Sequence, residues 1–206
     1  MAKSKIVKDL ATNNISVEES LRRLLVITSG LQNTSLNTWI LNELNGYSDK
    51  SELPPYRKNV TTMVVYSGIN GRMQVTNQPL PFTYIPDEFH DITGKQVCMD
   101  NISSVERITT ENSDVGKDLT ALAGAIYKKT GLECISITQK FNISSFVEII
   151  SNVKTKLQII FLELESLFGL LDSLDIDVDS KTTEEIHAVN QKIGTYIFSD
   201  GKTEVL

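Results

Sequence analysis

The chain has 206 residues, of which 40% are hydrophobic and 22% are charged. This composition is that of an ordinary globular protein and excludes a chain that is disordered throughout. The net charge of −6 argues against nucleic-acid binding through a generally basic surface and leaves only a local basic patch open.

The cysteine content and the hydrophobic runs bear on the compartment. Two cysteines, Cys98 and Cys134, are too few for the disulfide framework of a secreted domain and favour a reducing environment. The first residues contain lysines but no apolar stretch of the signal-peptide kind. The most apolar run, residues 157–171, is interrupted by Glu163 and Glu165 and is too short to span a bilayer. We therefore expect a soluble, cytoplasmic protein without a membrane span.

Apolar residues at helical spacing predict helices over residues 5–12, 17–31 and 36–45. The second begins with a capping box, in which Ser16 accepts a hydrogen bond from the amide of Glu19 while the glutamate reaches back. The third ends at Gly46, a residue suited to the left-handed conformation of a helix end. The simplest arrangement is an antiparallel helix pair, with Trp39 and Leu44 in the core that joins it to a long C-terminal helix.

The middle of the chain predicts a small sheet. Residues 59–69 are rich in Val, Thr, Tyr and Met, which favours a strand. The dipeptide Asn70-Gly71 is a strong hairpin signal and leads into a returning strand over residues 72–77. Further along, the pattern predicts short helices over residues 103–110 and 117–129 and a short strand over residues 135–141.

A second predicted capping box, Ser145 to Glu148, opens the longest helix, over residues 146–168. Its apolar stripe is wide enough to face a core. An acidic stretch follows, then a short helix over residues 183–193 and an end, residues 195–206, that alternates like a strand. Such an end would either pair with another chain or return to its own domain and complete a sheet edge, and both alternatives stay open.

These elements define an α+β fold class. The helical core would consist of the N-terminal helix pair and the long C-terminal helix, and a small antiparallel β-hairpin or sheet would accompany it. We predict one domain over residues 1–168, followed over residues 169–206 by an acidic linker and a short C-terminal interaction segment.

Sequence motifs of the familiar hydrolases, kinases and zinc enzymes do not occur. The two histidines, His90 and His187, have no ligand partner at metal-binding spacing. Asp175, Asp177 and Asp179 match the first ligand positions of a calcium loop, but the required glycine and the final glutamate are missing. A solvated acidic linker is therefore the favoured interpretation, and no cofactor or metal is predicted.

Two further features have a plain structural interpretation. Arg22 and Arg23 would form either a basic spot or, as we favour, the solvated face of an amphipathic helix. Cys134 lies in a predicted strand without a neighbouring base, so a core position is favoured over a nucleophile.

The stretch WILNELNGY, followed by LPPYR, contains the strongest candidates for a site. Arg57 is a strong planar partner for a carboxylate, and the turn after Gly46 would bring it back to Glu43. A salt bridge that holds the corner is the favoured interpretation. A ligand-binding or catalytic role for Glu43, Tyr56 and Arg57 is the alternative, and it would require a concave pocket at the pair.

At these residues the sequence resembles the N-terminal signature of the AbiTii domain of bacterial abortive-infection proteins. The matching positions are Trp39, Glu43, Leu44, Gly46, Tyr47, Leu53, Pro54, Tyr56 and Arg57. The long helix, with VKTKLQIIFLELE, is similar to the closing helix of that family. The resemblance covers about residues 16–168, and residues 60–130 match only in general character.

The resemblance implies a role in bacterial defence against phage, with a toxin-like or growth-arresting protein as the usual description. It supplies no catalytic residues. The candidate binding residues that rest on the motif are Arg22, Arg23, Glu43, Tyr47, Tyr56 and Arg57.

Three hypotheses of function follow. The first is an effector that acts by oligomerisation or by binding another protein, with Tyr196, Ile197 and Phe198 as the contact segment. Its partner would be another copy of the chain or another defence-system protein, and the charge does not indicate nucleic acid. The second is an enzyme, as a metal-dependent nuclease or a nucleotide-modifying toxin. The third is a sensor or regulatory module without toxicity of its own.

Overall fold

The computed structural model of the protein describes residues 3–111 and 113–198. The helices are α1 Lys5–Ala11, α2 Val17–Ile27, α3 Thr34–Asn45, α4 His90–Thr93, α5 Ile102–Thr110, α6 Ala123–Thr130, α7 Ile143–Phe168 and α8 Thr183–Phe198. The strands are β1 Thr62–Asn70, β2 Met73–Pro79, β3 Gly116–Asp118 and β4 Glu133–Phe141. The predicted α+β class, with a long helix towards the C-terminus, is confirmed.

The described residues divide into two compact units. The first contains residues 3–57, 99–107 and 147–198, and the second contains residues 58–98, 108–111 and 113–146. No helix in these described ranges combines the length and the hydrophobicity that a membrane-spanning helix requires.

The first unit is helical. Within it α1 packs on α2, α2 on α3, and α3 on α8. The apolar stripe of α7 is buried as predicted, with Ile149, Val153, Leu157, Ile160, Phe161 and Leu164 all at 0% exposure. A stripe of this width removes several large side chains from water, which is the main stabilising contribution to such a unit.

The start of α2 confirms one half of its capping box. Ser16 Oγ accepts a hydrogen bond from the Glu19 amide at 3.0 Å. The carboxylate of Glu19 pairs with Arg23 instead of reaching back. The remaining amides at this helix start are bound from outside the helix, since Glu106 on α5 accepts from Val17 N at 2.8 Å. The helix ends at Ile27 rather than residue 31.

The second unit contains an antiparallel sheet with strand order β2-β1-β4-β3. The predicted hairpin is confirmed: Asn70 pairs with Met73 across a turn in which Gly71 has φ +63°. One face carries the core of the unit, which includes Tyr66, Ile126 and Ile137. The pairing of β1 with β4 shifts in register between Ser67 and Gly68, because β4 contains one extra residue there, and a Cβ on Gly68 would lie 1.9 Å from the Glu133 carbonyl oxygen.

Two predictions for the middle of the chain are wrong in detail. The helix expected over residues 117–129 starts only at Ala123, because residues 116–118 pair with β4 as the edge strand β3. The second capping box is also absent, because Ser145 lies inside α7. The side chain of Asn142 accepts the Ser144 amide at 3.0 Å in its place, and Ser145 Oγ accepts from Thr61 N.

The strand predicted at the C-terminus is wrong for its described part. Residues 195–198 form the last turn of α8, and residues 199–206 of the predicted segment lie outside the described residues. The helix continues because Val189, Ile193 and Ile197 recur at a spacing of four and are all buried. A capping box starts it: Glu185 N donates to Thr182 Oγ1, and Thr182 N donates to Glu185 Oε2.

Candidate functional site

The chain turns sharply at the end of α3, as the sequence predicts, but in a different conformation. Gly46 has φ +90° and ψ 163°, which is extended rather than left-handed helical. The next residue explains this geometry, because Tyr47 N donates to the Met99 carbonyl at 2.8 Å and draws the backbone away from the helix axis. A Cβ on Gly46 would lie 3.0 Å from that carbonyl oxygen, so the corner favours glycine.

The returning segment positions Arg57. A short 3₁₀ turn, Pro55–Arg57, closes with a hydrogen bond from Arg57 N to the Pro54 carbonyl at 3.0 Å. The two prolines restrict the backbone before the turn and so limit the conformations in which Arg57 can follow.

Arg57 reaches Glu43, and the predicted salt bridge is confirmed. Arg57 Nη2 lies 2.5 Å from Glu43 Oε2, and Arg57 Nε donates to Glu43 Oε1 at 3.1 Å. Both side chains are 0% exposed. Arg57 Nη1 also donates to the Asp100 carbonyl at 2.7 Å. The pair is therefore bidentate and buried, which is the geometry in which a charge-assisted bond is strongest.

Two tyrosines complete the coordination of the carboxylate. The hydroxyls of Tyr47 and Tyr56 each donate to Glu43 Oε1 at 2.7 Å. Trp39 Nε1 donates in turn to the Tyr56 hydroxyl at 2.9 Å. The guanidinium of Arg57 lies 5.1 Å from the centre of the Tyr47 ring. We call these five residues, Trp39, Glu43, Tyr47, Tyr56 and Arg57, the motif network.

Burial controls the electrostatics of the motif network. It raises the pKa of the Tyr47 hydroxyl, and the neighbouring Glu43 carboxylate raises it further. The pKa of Tyr56 is raised well above its ordinary value by the same two causes in the same order. Both hydroxyls therefore remain protonated donors, whereas a nucleophile or a general base requires a lowered value.

These pKa shifts predict the alkaline stability of the protein. The unfolded tyrosines ionise near their ordinary value of about 10, and the folded ones ionise only above it. The folded state thus binds more protons above that pH, and the free energy of unfolding falls as the pH rises. We expect denaturant titrations to show a decline of up to about 1.4 kcal/mol per pH unit for each tyrosine.

A double variant, Tyr47→Phe/Tyr56→Phe, should flatten that alkaline decline. The matched control is Tyr84→Phe/Tyr127→Phe, which removes two hydroxyls from side chains that are 40% and 53% exposed. If both double variants reduce the alkaline decline in the free energy of unfolding equally, the decline does not come from the motif network.

A buried lysine connects the motif network to the last helix. Lys156 on α7 lies with Nζ 5.5 Å from the centre of the Tyr56 ring and donates to the Tyr196 carbonyl at 2.6 Å. That carbonyl belongs to the last turn of α8, where a cation is favoured by the helix dipole. Lys156 therefore links the last turn of α8 to Tyr56, one of the residues that bind Glu43.

A cleft of about 260 Å³ lies beside the motif network. Its lining includes Trp39, Tyr47 and Pro54, and Phe198 at the end of α8. Glu43 and Arg57 do not line it. The lining therefore contains aromatic residues of the motif network and not its charged pair, and Phe198, at 57% exposure, is the most accessible of these apolar side chains.

The remaining predicted residues lie apart from this arrangement. Arg22 Nη2 pairs with Glu18 on the same helix at 2.7 Å, and this hydrogen bond lowers the pKa of the Glu18 carboxyl. Arg23 pairs with Glu19 in the same way. These are exposed i,i+4 pairs of the kind that contribute little to stability. Leu44, predicted as core, is only half-buried.

The acidic segment forms a wider depression of about 920 Å³, lined in part by Asp175, Asp177 and Asp179. The carboxylate of Asp175 accepts the Ile176 amide and that of Asp177 accepts the Ser180 amide. Within the described ranges, no three His, Cys, Asp or Glu side chains are grouped as metal ligands would be.

Cys134 lies in a strand, as predicted, but at the margin of the core of the second unit rather than within it. It packs, half-buried, against the core of that unit, and burial raises the pKa of its thiol. This is opposite to the shift of an activated nucleophile.

Two contacts of the motif network involve residues outside the motif. The Asp100 carbonyl accepts from Arg57, and the Lys156 ammonium lies against the Tyr56 ring. A buried lysine in an otherwise apolar helix stripe was the one available signal.

The fold and the motif network define an α+β protein whose helical unit is organised around a buried Glu-Arg pair. The profile of the AbiTii family matches residues 4–190, and the chain belongs to this family. Its name refers to abortive infection, a bacterial defence against phage. No curated protein and no solved structure matches the chain. The match extends beyond residue 168 into α8.

Proposed function

We propose that the protein is an effector of abortive infection that arrests growth by binding another protein in the bacterial cytoplasm. The partner is a further copy of the chain or another component of the defence system. The observation that carries this proposal is the burial of Glu43 and Arg57, both 0% exposed and paired with each other. Groups that act on a substrate must reach it, whereas these bind one another inside the helical unit.

The proposed contact surface is the cleft beside the motif network together with the end of α8. Phe198 offers an aromatic side chain at its rim, and aromatic anchors beside a pocket are frequent centres of binding energy. Tyr196 is half-buried and Ile197 is 0% exposed. The proposal therefore assigns the contact to Phe198 and gives Ile197 the role of holding α8 in place.

The experiment is a plating assay with phage on bacteria that express the protein. We expect the wild type to lower phage plating, and Phe198→Ser to lose at least about tenfold of that protection. The matched control is Val26→Ser, which removes an apolar side chain of similar exposure, 54%, from α2.

Two outcomes contradict the proposal. Full protection by a folded Phe198→Ser variant would contradict the contact surface. Absence of protection by the wild type, with its neighbouring genes present, would contradict the defence role. Growth arrest on expression of the chain alone would exclude a regulatory module without toxicity.

A further inference from the structure

The connection between α7 and α8 contains strained backbone. Residues 169–182, which we call the hinge, contain no helix or strand, and two of them have a positive φ: Gly169 at +84° and Leu174 at +57°. Glycine adopts this conformation freely, whereas the Cβ of a leucine comes too close to the following carbonyl oxygen. The other non-glycine residues with positive φ in the described ranges are asparagines and a glutamine. The docked position of α8 therefore keeps a strained residue in the hinge, and release of the helix would relieve it.

The helix α8 has a weak intrinsic preference for its conformation. Its 16 residues include a glycine and six residues that branch at Cβ, namely Thr183, Ile186, Val189, Ile193, Gly194, Thr195 and Ile197. Both kinds of residue lower helix propensity. A helix of this length also takes most of its stability from packing. We therefore expect α8 to unwind when it leaves the surface on which it packs.

Few side chains attach α8 to the helical unit. Three of its side chains are buried, Val189, Ile193 and Ile197, whereas six side chains of α7 are at 0% exposure. The ion pair between Lys192 and Glu163, at 3.1 Å, joins side chains that are 59% and 25% exposed, and such a pair contributes little. Release of α8 thus exposes much less apolar surface than unfolding of the whole unit.

Two hydrogen bonds determine where α8 docks. Asn33 Nδ2, at the start of α3, donates to Asn190 Oδ1 at 2.9 Å, and Lys156 Nζ donates to the Tyr196 carbonyl at 2.6 Å. Water replaces the lost partner of each group when the helix leaves, so these bonds select the docked position more than they oppose its opening.

We propose that α8 is a strap that opens on its own, unwinding and leaving α3 while α7 and the other helices of the unit stay folded. Opening removes the contact surface of the proposed function, on which this part of the inference rests. Phe198 belongs to the last turn of α8, and it lines the cleft together with Trp39 and Tyr47. The cleft has this lining only while α8 is closed.

The strap couples partner binding to the conformation of α8. A partner that contacts Phe198 and the cleft together binds the closed form alone, so its binding stabilises that form by mass action. The apparent affinity for such a partner is then proportional to the fraction of chains in which α8 is closed.

Hydrogen exchange of the full chain, followed by mass spectrometry, tests the opening. We expect the amides of α8 to exchange at least about tenfold faster than those of α7, because only the latter require the whole unit to unfold. Ile193→Val removes one buried methyl group from α8 and should accelerate exchange of α8 about three- to tenfold. The matched control is Ile149→Val, the same change at a position of α7 that is also 0% exposed, and it should leave exchange of α8 unchanged.

Gly194 allows a change in the opposite direction. A Cβ on Gly194 would meet nothing within 4 Å, so alanine fits the closed form, and alanine favours a helix over the unwound chain. Gly194→Ala should therefore slow exchange of α8 about four- to fivefold. The control is Gly124→Ala in α6, where the added Cβ is equally free of contacts, and it should not change exchange of α8.

Three results of the exchange experiment would overturn the strap. They are exchange of α8 no faster than that of α7, equal acceleration of α8 by the two valine variants, and no slowing of α8 by Gly194→Ala. Each would show that α8 opens only with the rest of its unit or does not unwind when it opens. These mild substitutions decide the question without a variant that threatens the fold.

Phage plating separates the strap from the proposed function. Ile193→Ala should open α8 in a much larger fraction of chains and lower protection, and addition of Gly194→Ala should restore part of it. If α8 of Ile193→Ala exchanges without protection from its fold, α7 stays protected and phage plating is still lowered fully, the control of the contact surface by α8 is overturned and the defence role stands. A wild type with the expected exchange that gives no protection against phage would support the opening and contradict the defence role.

Discussion

Glu43→Gln is expected to lower the free energy of unfolding by about 3–5 kcal/mol. The substitution keeps the shape and an oxygen that accepts from the two tyrosines, but it removes the negative charge. Arg57, at 0% exposure, would then be a buried cation without its counter-charge. Removing one partner of a buried ion pair costs more than the pair contributes, because the remaining charge keeps its full desolvation penalty.

Denaturant unfolding of Glu43→Gln measures this loss. The control is Glu52→Gln, which removes the same charge from an exposed side chain that lies 3.5 Å from Asn42 Nδ2. We expect the control to stay within about 0.5 kcal/mol of the wild type. A Glu43→Gln protein as stable as the control would show that Arg57 is not desolvated, and the structural role of the pair would be wrong.

Trp39→Ala is expected to cost about 3–5 kcal/mol, by loss of a large buried side chain and formation of a cavity. Trp39 is 3% exposed, and its indole nitrogen donates to the Tyr56 hydroxyl at 2.9 Å. Trp39→Phe keeps much of the ring and removes the donor, so it should cost less than the alanine variant, with the lost hydrogen bond contributing about 1 kcal/mol.

Thermal and denaturant unfolding of the two variants separate packing from hydrogen bonding at this position. The control is Leu41→Ala on the same helix, whose side chain is 45% exposed. It should lose much less stability than Trp39→Ala. If Trp39→Ala keeps the wild-type melting temperature, Trp39 is not a core residue in solution.

The elements that were predictable from the sequence carry local signals. The helical stripe of α7, the Ser16 cap of α2 and the Asn70-Gly71 turn each depend on residues only a few positions apart, and the structure contains all three. Periodicity and turn chemistry act over that distance, so they can be recognised without knowledge of the tertiary fold.

The elements that were missed depend on partners far along the chain. Residues 116–118 resemble the start of a helix but form a strand because β4 offers them an edge. The end of α8 alternates aromatic and apolar residues like a strand, yet Ile197 continues a buried helical row. Tertiary packing outweighs local preference in both places, and the local sequence does not indicate which distant segment packs against these residues.

The candidate site shows the same division: its short-range contacts were predictable from the sequence and its long-range contacts were not. Glu43 and Arg57 are fourteen positions apart, and a glycine corner with two prolines limits how the chain can return, so their pairing follows from short-range geometry. The Asp100 carbonyl and Lys156 approach from segments 43 and more residues away. Their contribution to the burial of the pair could therefore be seen only in the structure.

The measurement that tests the central claim most directly is phage plating with the double variant Glu43→Gln/Arg57→Met. Removing both charges avoids the uncompensated cation, so this variant should be more stable than Glu43→Gln alone. If the pair stabilises the fold and performs no chemistry, the protection that each variant gives should be proportional to its folded fraction. The double variant should then protect better than Glu43→Gln, because more of it is folded. A double variant that is folded and still fails to protect would contradict the structural role and would place Glu43 or Arg57 in the activity itself.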